Sequence, residues 1–290
     1  MFSPEAPAGA PPAAAVRCHI LDTGYCLASE RHLIRGGRRQ SVRCHALVAL
    51  LDHPAHGWLL WDTGYAPRIW DATARLPYRL YRRATPLRLD PDLALARQLS
   101  HFGLAPGDIG HVVLSHFHAD HLAGLRDFPR ATLVAAREAF RDVAGRRGWS
   151  ALRRAFLPDL LPGGDVVARA HLLPDPFTDE PLPHLGPTHD LFGDGAFRLV
   201  RLPGHARGQL GLLAQTERRG PLFFVADACY LTRSIRENRP PHPATNLFAD
   251  DGRAVRDTLA RLHRFAQARP DVTFVPTHCP EAFAREVAER

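Results

Sequence analysis

Apolar residues in this chain come mostly in short solid runs, not in long periodic stretches. HALVALL (45–51) and WLLWDTG (58–64) flank the Pro- and Gly-containing break DHPAHG, the pattern of a hairpin. HVVLS (111–115), ATLVAA (131–136), AFRLVRL (196–202), GQLGLLAQ (208–215), LFFVAD (222–227) and VTFVPTH (272–278) each read as a strand. Helical spacing appears over Pro91 to Phe102, where Leu93, Leu95, Ala96 and Leu99 share a face and Gly103 supplies the stop. It appears again over Arg253 to Ala268, with Val255, Leu259, Leu262 and Ala266 on one face. REAFRDVAGR opens a further helix after the strand ending at 136, and a short helix closes the chain. Strands alternating with helices, in hairpin and crossover arrangements, predict an α/β fold with mixed sheets covered by helices.

Two stretches break the pattern. Residues 65–90 are irregular and rich in Arg, Tyr and Pro, and residues 148–190 lack clear periodicity. Long excursions of this kind are often functional lids, so both are expected to form the walls of a pocket. Residues 1–16, dominated by Ala and Pro and interrupted by Glu5, read as a disordered leader, leaving 17–290 as one folded domain. LDTGY (21–25) and WDTGY (61–65) repeat four residues, but their flanks differ and no duplication follows.

Composition narrows the function. The formal charge is +7, yet the chain has no lysine, and its arginines are scattered without a long basic run. That is a coding bias more than a nucleic-acid footprint, and no nucleic-acid partner is expected. No run of about 18 apolar residues exists, so no membrane span is expected, and a cytoplasmic location is the default. The five cysteines form no CxxC pair, which argues against a disulfide framework and a Cys-rich zinc site.

The chemistry concentrates in SHFHADHLAG (115–124), at the end of a strand. His116 and His118 are two apart and can project from one side of the strand end, whereas Asp120 and His121 follow a turn and face elsewhere. One ion cannot comfortably take all four from so short a loop. Two ions could share them, each needing ligands from other strand ends. His205 in the turn PGHARG, Asp227 after LFFVA and His278 after the last strand are the residues placed to supply them.

HxHxDH at 116–121, the PGH turn at 205, the strand-end Asp227, the late His278 and the preceding WDTG at 61–64 together resemble the metallo-β-lactamase fold superfamily. The resemblance spans roughly residues 40 to 285 and implies an αββα sandwich of two mixed β-sheets flanked by helices. It implies that His116, His118 and His205 hold a first metal, that Asp120, His121 and His278 hold a second, and that Asp227 bridges them. Asp62 would orient a ligand histidine from behind. The implied cofactors are two divalent ions, Zn²⁺ first, with Fe or Mn also suited to imidazole and carboxylate donors. The implied activity is hydrolysis of a carbonyl compound by metal-bound hydroxide, with Asp120 passing a proton to the leaving group.

Within the superfamily the chain most resembles the N-acyl homoserine lactonases, which carry a tyrosine at the offset of Tyr230 in DACY to hydrogen-bond the substrate carbonyl. Trp70, Tyr78, Tyr81, Trp149, Phe156 and Phe177 would then cover an acyl chain. Two departures, Leu122 and GHARGQ (204–209), touch the substrate side and not the ligand set. A glyoxalase II-type thioesterase is the rival enzyme, without the basic tail expected of one. A metal-stabilised binding module is the non-enzymatic alternative, disfavoured by the intact bridging position. The expected partner is a small-molecule ester, lactone or thioester, and a homodimer is one assembly the resemblance allows. The remaining histidines, among them His45, His53 and His56, have no ligand-like context and read as surface or packing residues. Cys229 and Cys279 read as buried, inert thiols.

Overall fold

The computed structural model describes residues 14–247 and 249–288. Its strands are β1 (Arg17–Ser29), β2 (Ser41–His53), β3 (Gly57–Trp61), β4 (Leu87–Arg88), β5 (Ile109–Val113), β6 (Thr132–Ala136) and β7 (His171–Leu173) in the first half. There follow β8 (Asp179–Leu182), β9 (Gly186–Asp190), β10 (Phe197–Arg201), β11 (Leu210–Thr216), β12 (Gly220–Ala226) and β13 (Thr273–Pro276). They form a seven-stranded sheet in the order β4-β1-β2-β3-β5-β6-β7 and a six-stranded sheet in the order β13-β12-β11-β10-β9-β8. Both sheets are mixed: β1, β2 and β3 run antiparallel, while β3, β5, β6 and β7 are parallel neighbours.

The solid apolar runs are solid because both faces of these strands are covered. Between the sheets, Trp61 of β3 meets Phe224 of β12, their ring centroids 6.4 Å apart. On the outer face of the second sheet, Leu259, Leu262 and Phe265 of the helix Gly252–Ala268 pack on Val200, Phe223 and Val225. That helix starts sharply because the Asp251 carboxylate accepts from the Arg253 and Ala254 N–H groups and so caps its first turn. The expected sandwich of two mixed sheets flanked by helices is the observed one.

Several local expectations change. The hairpin 45–64 is present, but β1, the longest partner of β2, was not legible in RCHILDTGYCLAS. The helix expected over 91–102 is broken into the turns Pro91–Leu93, Leu95–Gln98 and Leu99–Phe102, the first parted from the second by Ala94, whose ψ of 129° is extended and not helical. Residues 148–190 are no lid as a whole: β7 closes one sheet, and β8 and β9 extend the other. The expected leader ends in ordered chain, since Val16 is buried and its N–H donates to the Gln215 carbonyl at 2.9 Å; residues 1–13 lie outside the described residues. Among the described residues no helix is long and apolar enough to cross a membrane.

Candidate metal centre

Strand ends from both sheets meet at one edge of the sandwich. β5 delivers Ser115 and His116, the turn Ala119–Leu122 delivers Asp120 and His121, β12 delivers Asp227, and β13 delivers His278. His205 hangs from the loop between β10 and β11. That loop lies against the long helix at Gly204, whose φ is +134° and where a Cβ would meet the Val255 backbone nitrogen at 2.4 Å. Only glycine allows this approach. The Asp250 N–H then donates to the His205 carbonyl at 3.1 Å and fixes the loop.

The seven sequence-derived ligands all converge. His116, His118 and His205 present ligand atoms within 4.8 Å of one another, as do His116, His121 and Asp227, and as do Asp120, His121 and His278. His118 Nδ1 and His205 Nε2 face each other at 2.9 Å. Asp227 is central: its Oδ1 is 3.4 Å from His121 Nε2, and its Oδ2 lies 3.2 Å from His205 Nε2 and 3.1 Å from His278 Nε2. Asp120 Oδ2 lies 3.3 Å from His278 Nε2. His116 Nε2, His121 Nε2 and Asp227 Oδ1 are buried and have no hydrogen-bond partner. Orphaned polar atoms cost about 1–3 kcal/mol each when nothing meets them, so three aimed at one space fit a cation there. Nitrogen and carboxylate donors in these overlapping triads suit divalent metal ions.

A second ring of bonds holds the donors. Asp62 has φ +57°, a left-handed turn that directs its carboxylate back under the strand ends. It accepts from the Ser115 N–H at 2.7 Å and the Ser115 hydroxyl at 2.8 Å, and it lies 2.8 Å from His121 Nδ1. The Thr63 hydroxyl donates to the His121 carbonyl at 2.9 Å. His278 Nδ1 donates to the His45 carbonyl at 2.5 Å. The bonds at His121 Nδ1 and His278 Nδ1 leave the opposite imidazole nitrogens facing the shared space.

The electrostatics of the metal-free cluster divide the histidines. Burial holds His116, His118 and His205 low, His118 down to about 3, with His205 adding to the effect there. Burial also opposes charge on His121 and His278, but Asp62, Asp227 and Asp120 outweigh it at His121, pushing it up to about 10. Asp227 and Asp120 do the same at His278. Burial pushes the Asp120 and Asp227 carboxyls up, yet His121 and His278 outweigh it and both are held down.

A cleft of about 470 Å³ opens beside the cluster. Asp120, Tyr230 and His278 stand at its polar end, and Ala28, Leu33, Leu80, Tyr81, Leu152 and Ala155 line its apolar side. Of the six aromatics expected to cover a substrate, only Tyr81 lines it. Phe156 and Phe177 are core residues, Trp70 and Trp149 face solvent, and Tyr78 spends its hydroxyl on the Gly148 N–H at 2.7 Å. Aromatic content in an irregular stretch therefore reported packing at Tyr78, Phe156 and Phe177 and a cleft wall at Tyr81. The walls also include the cross-strand partners Cys26 and Cys44, which no sequence signal distinguished from other cysteines.

Other expected assignments fall as follows. Cys229 and Cys279 are buried, and Cys279 Sγ accepts from the Thr232 N–H at 3.3 Å. His53, His56 and Asp194 also cluster, away from the cleft. His53 Nδ1 accepts from the Ala55 and His56 N–H groups, so its proton sits on Nε2, 2.7 Å from Asp194. That arrangement is a satisfied structural histidine. His45 is a packing residue with one further part, taken up below.

Comparison with known proteins places this geometry in a family. The metallo-beta-lactamase superfamily model matches residues 42–278, and the chain belongs to that superfamily. Among its curated relatives, N-acyl homoserine lactonase AttM of Rhizobium radiobacter is 29% identical over 196 residues, 68% of either chain. N-acyl homoserine lactonase AiiB of Agrobacterium fabrum is 27% identical, with 91% of this chain and 94% of that protein covered. A solved N-acyl homoserine lactone hydrolase, with N-hexanoyl-L-homoserine bound at its catalytic metal centre, shares the fold. Its TM-score is 0.68 at 16% identity, over 93% of this chain and 95% of that one.

Proposed function

We propose that this protein is a dinuclear metal-dependent hydrolase that opens N-acyl homoserine lactone-like substrates. His116, His118 and His205 hold one ion, Asp120, His121 and His278 hold the other, and Asp227 lies between them. Zn²⁺ is the ion of choice for such donors. Bound there, the ions supply hydroxide at neutral pH and a Lewis acid for a carbonyl oxygen.

The observation that carries the lactone reading is the place of Tyr230. Its hydroxyl is 3.3 Å from His205 Nδ1, at the polar end of a cleft whose remaining wall is apolar. With His205 Nε2 turned to the metal space, its Nδ1 carries the proton and donates to the Tyr230 oxygen. The phenol's own proton is then left to donate to a substrate carbonyl. Burial and the Asp227 and Asp120 carboxylates push the phenol up, so it keeps that proton. Asp120 accepts a proton as water adds to the carbonyl and returns it to the departing ring oxygen, giving the ring-opened hydroxy acid. The apolar side, from Ala28 to Ala155, accommodates an acyl chain. The relatives named lactonases support the same choice.

The test is a panel of N-hexanoyl and N-decanoyl homoserine lactone, S-lactoylglutathione and a p-nitrophenyl ester, offered to zinc-reconstituted protein. Preferential turnover of the lactones is expected. Turnover of S-lactoylglutathione alone would give the site to a thioesterase, and turnover of none would leave a binding module.

A further inference from the structure

The DTGY of 22–25 repeats that of 62–65, and in both copies the aspartate meets a histidine Nδ1 and the threonine hydroxyl donates to a main-chain carbonyl at or next to that histidine. At the later copy, Asp62 Oδ2 lies 2.8 Å from His121 Nδ1 and the Thr63 hydroxyl donates to the His121 carbonyl at 2.9 Å. At the earlier copy, Asp22 Oδ2 lies 2.8 Å from His45 Nδ1 and the Thr23 hydroxyl donates to the Ala46 carbonyl at 2.9 Å. The pairing of β1 with β2 shifts register between Asp22 and Tyr25, and this irregularity lets Asp22 and Thr23 reach the neighbouring strand with side chains.

What they grip is the seat of the last ligand. His278 Nδ1 donates to the His45 carbonyl at 2.5 Å, and the Leu47 N–H donates to the Thr277 carbonyl at 3.2 Å. Residues 45–47 belong to β2 in one sheet, whereas Thr277 and His278 follow β13 in the other. The His45 ring is buried, stacked on Phe283 at 3.8 Å and 8°, with Asp22 at its Nδ1. Ring, carbonyl of Ala46 and carbonyl of His45 are thus fixed together, two by the DTGY stretch and one by the histidine it serves.

We propose that Asp22 is a positioning residue for His278: by holding the His45 ring it fixes the main-chain carbonyl that sets the tautomer and direction of His278. This rests on the two-metal reading of the site. Freed from Asp22, the segment 45–47 relaxes at the register shift, and the His278 ring loses the acceptor that aims its Nε2 at the metal space. Loss of an outer partner of a ligand typically weakens metal binding by about 10–100-fold. The consequence is selective: the ion held by Asp120, His121 and His278 weakens, and the ion held by His116, His118 and His205 does not.

The test uses the full chain, Zn²⁺ and a competing chromophoric chelator. Zinc per chain and both affinities are measured for wild type, Asp22→Asn, His45→Phe and the double variant, beside urea unfolding of each metal-free protein. Phenylalanine keeps the stack on Phe283, so His45→Phe serves if Asp22→Asn does not fold. The expected result is two zinc ions in all four proteins, one of the two loosened about tenfold or more in Asp22→Asn with the other unchanged, and a double variant no worse than His45→Phe. Equal loosening of both ions in step with lost stability would reduce Asp22 to a stabilising residue and overturn the proposal. Unchanged affinities would overturn it too. A wild type that binds fewer than two ions sinks the two-metal reading itself, and is recognised without any variant.

Discussion

At 62–65 the aspartate grips a histidine whose far nitrogen faces the metal space; at 22–25 it grips a histidine whose ring goes no further than Phe283. The same four residues thus end in different places. Asp62 is fully buried and serves three donors: the Ser115 amide, the Ser115 hydroxyl and His121. Asp22 accepts from the Gly24 N–H at 3.3 Å and serves His45, and His45 passes on only a main-chain carbonyl. Local sequence set the bonding pattern in both copies, while the neighbouring strand end decided whether the pattern met a ligand directly or through the backbone.

The largest test of this difference removes each carboxylate in turn. Asp62→Ala strands three buried donors, at about 1–3 kcal/mol each. A loss of at least about 3 kcal/mol in urea unfolding is expected, with hydrolysis reduced about 10–100-fold by loss of an aligned His121. Asp22→Ala is expected to cost less on both measures. Equal costs would break the comparison and make the earlier copy a structural hub of the same rank.

The copies touch at Gly64. It has φ +62°, and a Cβ there would lie 2.0 Å from the Thr23 hydroxyl oxygen, which also accepts from the Tyr65 N–H at 3.0 Å. Gly64→Ala should cost about 1–2 kcal/mol in backbone strain and a further 1–3 in overpacking. Adding Thr23→Ala should recover only part of the overpacking, since the hydroxyl and methyl go while the residue 23 Cβ stays 2.8 Å away, and should leave the strain. If thermal unfolding shows no recovery, the two copies are not in mechanical contact.

A third test uses the proton. In the metal-free protein His121 is held up to about 10 by Asp62, Asp227 and Asp120 against its burial, and His278 is raised in the same direction by Asp227 and Asp120. Both carry protons at pH 7 and must shed them to ligate, whereas His116, His118 and His205 are held low and are already free of theirs. Affinity should therefore rise with pH, by up to about tenfold per unit for each proton released, until His121 deprotonates unaided near its raised value. Zinc added at pH 7 in weak buffer should release about two protons per chain from these histidines, and up to one more from water that ionises on the bound ions. Release of none would mean that the carboxylates do not hold these histidines charged.

Much of this was legible in the chain, and the limits have physical reasons. His116, Asp227 and His278 were readable as polar residues just past apolar strands, and His118, Asp120, His121 and His205 through the dense HxHxDH and PGH patterns and the family resemblance they carry. Asp62 was readable through its family pattern. Asp22 and His45 were not: the grip depends on a register shift between β1 and β2, and no local spacing announces which residues a shift brings opposite. β1 itself was hidden because its alternation is broken by the DTG turn. The stretch 148–190 misled because β7 to β9 are short and β8 and β9 contain Pro and Asp, which mask strand character.

The smallest expected effect lies at Tyr230, which neither DTGY copy touches and which therefore separates substrate handling from ligand support. Its ring sits 6.0 Å from His205 and 6.1 Å from His278, centroid to centroid, so phenylalanine keeps the packing. Removing the hydroxyl leaves His205 Nδ1 short of one acceptor at the open end of the cleft, where water can take its place. Zinc content and unfolding should stay at wild-type values. What is lost is one neutral hydrogen bond to a carbonyl that gains charge as water adds, about 1.4 kcal/mol or tenfold in kcat. A fall in zinc content would show that Tyr230 acts as a support for His205, like Asp62 for His121. A fall in kcat with both ions retained would keep it on the substrate side, where the difference between support and chemistry is drawn by one hydroxyl.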